Sequence, residues 1–204
     1  MEGRIGVEDP RDRWYNLLQQ RLSCAFPDTC FPLFNGAVGG ESTREIMQRL
    51  DRDVLARNPD FCLVMVGGNN HDCRNPHRIL VEGELENLME RFARKLPKTT
   101  TPVGVVLSPV VDEWHFASQH PAYRDYLLPF NGSLDAALNV ERDKARTFYR
   151  QQGWTCLDLY ALMADRPADY VLPQDGIHMN QSGHAFFAKT MFECMQTLLR
   201  ARAV

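Results

Sequence analysis

The sequence lacks several things. No apolar run is longer than Phe61–Val66, far short of the roughly 20 residues that span a bilayer, so no transmembrane helix is expected. No basic stretch followed by an apolar core opens the chain, so no signal peptide is visible; the expectation of a reducing cytoplasm comes from the cysteine usage below. No positive excess exists: 23 Lys and Arg stand against 26 Asp and Glu, which disfavours nucleic acid as a partner. Glycine (13) and proline (12) are too few for a linker or fibrous chain. None of the 6 cysteines forms a C-x-x-C pair, and the domain is too large to need disulfide staples. Most are expected as small core side chains, with Cys24 and Cys30 as free thiols.

What is present is ordinary globular usage, 44% hydrophobic and 24% charged over 204 residues, enough for one domain, 1–204, with one well-buried core. Asp9-Pro10 reads as a helix start, followed by Trp14, Leu18 and Leu22 at helical spacing. Phe31–Phe34 reads as a short strand. Ser42-Thr43-Arg44-Glu45 is a capping box opening a helix to about Asn58. Phe61–Val66 reads as a strand buried on both faces. A helix over His77–Leu96, a strand at Val103–Leu107, an irregular aromatic segment at 109–131, a helix over 133–151, a strand at Trp154–Leu159 and a closing helix Gln181–Arg202 complete the chain. Strands alternating with helices predict an α/β fold: a parallel sheet between two helical layers.

In such sheets chemistry sits beyond the carboxyl ends of the strands. Three polar segments fall there: Asn35–Thr43, Gly67-Gly68-Asn69-Asn70-His71-Asp72, and Asp175–His184. Gly40 precedes a helix N-terminus, where backbone N–H groups favour an anion. Asn69 offers a side-chain amide. Asp175 and His178 stand three residues apart, a spacing that lets a carboxylate orient an imidazole. Taken singly, each has a plainer explanation as a turn or loop residue; their order raises their joint weight.

With these blocks the chain resembles the SGNH hydrolases, the GDSL lipase and esterase family. Gly40 falls at the family's oxyanion glycine, Asn69 at its oxyanion asparagine, and Asp175 and His178 at its catalytic Asp-x-x-His. The resemblance implies a flavodoxin-like three-layer α/β/α fold with strand order 2-1-3-4-5. It also implies cleavage of a small-molecule ester by Ser-His-Asp chemistry, without metal or organic cofactor. The block that carries the serine, Gly-Asp-Ser, is absent from the chain. It is expected just before Met1, together with the first strand. Removing a central strand strands several backbone groups at roughly 1–3 kcal/mol each, against a net stability of about 5–15 kcal/mol. A truncated chain, inactive as written, is therefore expected, and a non-catalytic binding protein on the same scaffold is the alternative. Ser42, Ser108 and Cys73 are weak substitutes: Ser42 fits a helix cap, Ser108 has no partner motif, and Cys73 with His71 and His77 suits a solvated loop better than a metal. The aromatic segment, with Trp114, His115, Phe116, Tyr123, Tyr126 and Phe130, is expected either to wall a substrate pocket or to pack on the core. Oligomeric state is not legible.

Overall fold

The structure, a computed structural model, describes residues 3–202. Three parallel strands, β1 (Phe61–Val64), β2 (Thr101–Val106) and β3 (Thr155–Asp158), form a sheet in the order β1-β2-β3. Phe61 pairs with Thr101 and Val103 with Thr155. Among the described residues seven α-helices surround the sheet: α1 (Trp14–Ala25), α2 (Thr43–Asp53), α3 (Glu84–Lys95), α4 (Arg124–Leu127), α5 (Leu134–Gln151), α6 (Leu159–Met163) and α7 (Gln181–Arg202).

The two-residue period of a strand decides what meets what. Phe61, Leu63, Val103 and Val105 face α1, α6 and α7, through Trp14, Leu18, Phe187 and Met191. Cys62, Val64 and Val106 face α2, α3 and α5, through Leu50, Met89 and Phe148. The result is a three-layer α/β/α sandwich. A third cluster of Val110, Tyr123, Leu127 and Leu138 seats the 109–131 segment on α5, with Cys73 and Ile177 against it.

Several boundaries differ from the sequence reading for local reasons. Asp9 caps a single 3-10 turn, Pro10–Asp12, and the α-helix begins at Trp14. The second helix stops at Asp53; a 3-10 turn follows and Asn58 turns the chain with φ of 44°. Helix α3 starts at Glu84, not His77, because Gly83 enters with a positive φ and Pro76–Arg78 forms only a 3-10 turn. Phe31–Phe34 is not a strand. It has no ladder partner: Phe31 and Leu33 pack on the α1–α7 core while Phe34 is 59% exposed. The sheet therefore has three described strands rather than four, and the outer edge of β1 carries no partner among the described residues. Of the cysteines only Cys62 is buried; Cys24, Cys30 and Cys156 are exposed, and all six are free thiols.

Gly104 in mid-β2 has a packing reason. A Cβ there would overlap the Tyr149 ring, which is fully buried and stacked on Trp154. Gly104→Ala is expected to destabilise by about 1–3 kcal/mol, lowering Tm by roughly 2–12 °C in thermal unfolding; an unchanged Tm would show that this layer is loosely packed.

Candidate active site

The loop into α2 is fixed from both ends. Asn35 accepts from the Ala37 amide at 3.1 Å, and Gly40 adopts φ of 81°, open to glycine at little cost. Ser42 closes the capping box, with its N–H and Oγ 2.8 and 3.0 Å from Glu45 Oε2. Gly40 thus stands two residues before the cap rather than directly at the helix start. The Thr43 amide, the first N–H of α2, is already taken by Asn70 Oδ1 at 2.9 Å. Beside Gly40 lies the Arg78 guanidinium, paired with Glu45 at 3.2 Å.

The loop after β1 is tightly packed, not solvated. Gly67, at φ of 103°, lies against Leu107 and Glu141, and Asn70, His71 and Asp72 are all buried. Asn69 Nδ2 donates to the Glu41 carbonyl at 3.2 Å, so the Asn69 and Gly40 loops touch. One amide hydrogen of Asn69 is used there and the second remains a donor. Asp72 gathers Arg74, Asn75, Arg78 and the Tyr123 hydroxyl; burial raises its carboxyl, but these donors outweigh burial and hold it far below the ordinary range. Cys73 donates to the His71 carbonyl, and no set of three His, Cys, Asp or Glu among the described residues is placed to hold a metal ion.

Asp175 and His178 form a self-contained turn. The His178 carbonyl accepts from Leu172 at 2.7 Å, and Gly176, at φ of 70°, lies against the Val111 carbonyl and the His115 amide. Asp175 Oδ1 accepts the Ile177 and His178 amides at 3.0 and 2.9 Å, while Oδ2 lies 2.9 Å from His178 Nδ1. Burial raises the Asp175 carboxyl; the two amides and the imidazole outweigh it, so it stays ionised below its ordinary value. A carboxylate at Nδ1 fixes the proton there and leaves Nε2 of a neutral ring as the base. The His178 side chain is 50% exposed.

The structure therefore brings Asn69 to the Gly40 loop and Asp175 to His178. The two pairs are not hydrogen-bonded to each other among the described residues. The segment leaving β2 joins them: Leu107 lies under Gly67 and Gly68, and the Val111 amide donates to the Gly176 carbonyl at 2.8 Å. His115 is buried in the same segment. The Ala117 amide donates to its Nδ1 at 3.1 Å, burial lowers its pKa, and the negative charge of Asp175 opposes that shift. A cleft of about 430 Å³ opens between Arg4, Leu33–Val38, Arg49, Asp53 and Arg57; Gly40, Asn69, Asp175 and His178 do not line it.

Asn70, Glu141 and His184 were not visible as site-forming residues in the sequence. His184 accepts the Trp14 amide at Nδ1 (3.1 Å) and lies with Nε2 3.1 Å from the Ile5 carbonyl. Gly3 packs on Trp14 and His184, and Gly6 is pressed against the Met179 carbonyl where no Cβ would fit. Residues 3–6 therefore run beside the start of α7, next to the His178 turn.

The fold is a three-layer parallel-sheet sandwich, with an Asp-oriented histidine in one loop and Asn69, beyond β1, touching the Gly40 loop that leads into α2. The model of the GDSL-like Lipase/Acylhydrolase family matches residues 3–186, and the chain belongs to that family. Among solved structures it is similar to the acetyl xylan esterase AlAXEase (18% identity, TM-score 0.71, covering 95% of this chain and 94% of that one). It is also similar to a lipase/acylhydrolase from Enterococcus faecalis (15%, TM-score 0.68, covering 88% and 85%). A third similar structure is the acetylxylan esterase Axe2 from Geobacillus stearothermophilus (16%, TM-score 0.65, covering 89% and 80%). No curated protein matches by sequence. Family and fold support an esterase or acylhydrolase of the GDSL type. No helix among the described residues is long and apolar enough to cross a membrane.

The Asp175 geometry has a pH consequence. Its folded-state carboxyl is depressed, so its contribution to stability is complete above the ordinary aspartate value of about 3.9 and is lost as pH falls below it. Asp175→Asn is expected to flatten that acid limb, read as urea midpoints between pH 6 and pH 3; an acid limb identical to that of the parent chain would show that the carboxylate contributes nothing.

Proposed function

We propose that this chain carries the base and the oxyanion donors of a Ser-His-Asp ester hydrolase, and that its 204 residues do not include the nucleophile. In the reaction a serine hydroxyl attacks the ester carbonyl. His178 Nε2 takes the hydroxyl proton and returns it to the leaving alcohol. Asp175 holds the imidazole tautomer and stabilises the cation. The Gly40 N–H and the second Asn69 amide hydrogen stabilise the tetrahedral oxyanion, each donor worth about 10²–10³ in rate.

The observation that carries this reading is the Asp175–His178 pair, with Oδ2 on Nδ1 at 2.9 Å and both Asp175 oxygens engaged. No serine hydroxyl among the described residues hydrogen-bonds His178: Ser42 is held by Glu45, and Ser118 and Ser133 donate to His115 and Asp112. The similar structures named above include acetyl xylan esterases, which favours short acyl groups on a hydroxylated alcohol as the substrate class.

The chain as written is expected to hydrolyse a chromogenic acetyl ester no faster than its His178→Ala variant. An extended chain with a strand ending in Gly-Asp-Ser ahead of Met1 is expected to raise the rate by at least about 10³-fold in a His178-dependent manner. A written chain already active and His178-dependent would reveal another nucleophile. An extended chain that folds, binds ester and stays inert would favour the binding-protein alternative.

A further inference from the structure

Glu141 lies in the middle of α5, where an acid would ordinarily face water. Instead its stem packs on Gly67 and its Oε2 accepts from Asn70 Nδ2 at 3.0 Å. Asn70 is only 5% exposed, and its Oδ1 accepts the Thr43 amide at 2.9 Å. These two contacts fix which way the amide faces. Turned over, the NH2 group would meet the Thr43 N–H and the oxygen would meet a carboxylate, two repulsive pairs in place of two hydrogen bonds. One residue before Asn70, the Asn69 amide donates to Glu41, two residues before Thr43 and one after Gly40. The loops carrying Gly40 and Asn69 therefore meet over a single amide whose orientation is set from α5.

We propose that Glu141 is a positioning residue: through Asn70 it fixes the relative placement of the Gly40 amide and the Asn69 side chain. Describing these two as oxyanion donors rests on the function proposed above; the linkage itself does not.

The groups facing Glu141 supply a readout. Burial raises its carboxyl above the ordinary value; Asn70 and Lys144 on α5 oppose this, and Glu86 on α3 adds to it. Lys144 is itself 3.3 Å from Glu86, and the Tyr126 phenol of the aromatic segment also feels the Glu141 charge.

The test is nitrogen–proton NMR of the chain as it exists, following the Gly40 amide and the Asn69 side-chain NH2 from pH 3.5 to 7, with acetate as the probe ligand. Both resonances are expected to titrate together, with a midpoint above the ordinary glutamate value of about 4.3. Glu141→Gln keeps an acceptor for Asn70 and is expected to hold both resonances near their parent positions while abolishing the titration. Glu141→Leu is expected to move both resonances and weaken acetate binding by about tenfold. A folded E141L chain with both resonances in place, or an E141Q chain that still titrates, would overturn the proposal. Should E141L fail to fold, the E141Q titration decides. Acetate that leaves Gly40 and Asn69 unperturbed in the parent chain would count against the hydrolase reading, while the titration still decides the linkage.

Discussion

The guanidinium of Arg142 is the fixed point of this structure. It has no exposed surface, and a buried cation survives only if its donors are spent. They are: on the carbonyls of Leu107 and Ser108, on the carbonyl and carboxylate of Asp135, and on Asn139, with Tyr160 under its face. Burial lowers the Arg142 pKa and Asp135 opposes the shift. The arrangement binds the exit of the central strand to α5. Everything at the site is referenced to that exit, because Leu107 supports the Gly67 loop and Val111 holds the Asp175 turn. Asp135 then accepts the Val110 amide, and Asp112 accepts those of Leu134 and Asp135, so strand exit and helix start share one polar seam.

The parts of the fold legible in the sequence were those with a local cause. The Ser42–Glu45 capping box, the apolar run of β1, the valines of β2 and the long closing helix each specify themselves over a few residues. Phe31–Phe34 misled because a strand needs a neighbour as well as apolar side chains, and no strand lies beside it. The helix predicted from His77 began late because periodicity does not register the left-handed turn at Gly83. Cys156 has the hydrophobicity of a core residue but sits on an exposed position of β3.

The site divides the same way. Asp175 and His178 lie three residues apart, so their contact could be anticipated from spacing. Asn69 and Gly40 are far apart in sequence and were connected only by the order of blocks. Asn70 lay within a singled-out polar segment but its partner did not: Glu141, 71 residues on, had no signal, because a polar residue on a helix normally reads as surface and only the fold shows it turned inward. Arg142 was silent for the same reason.

The latch at His184 bears on how the chain is made. It holds residues 5 and 14 across sequence separations of 179 and 170, and α1 buries Trp14, Leu18 and Leu22 mainly against α7. Helix α1 is therefore completed only once α7 has been made. At about 5–20 residues per second, the apolar face of α1 waits on the order of ten to thirty seconds for its partner. Throughout that interval Trp14, Leu18 and Leu22 lack the helix that covers them, so this layer of the sandwich closes only after α7 is made.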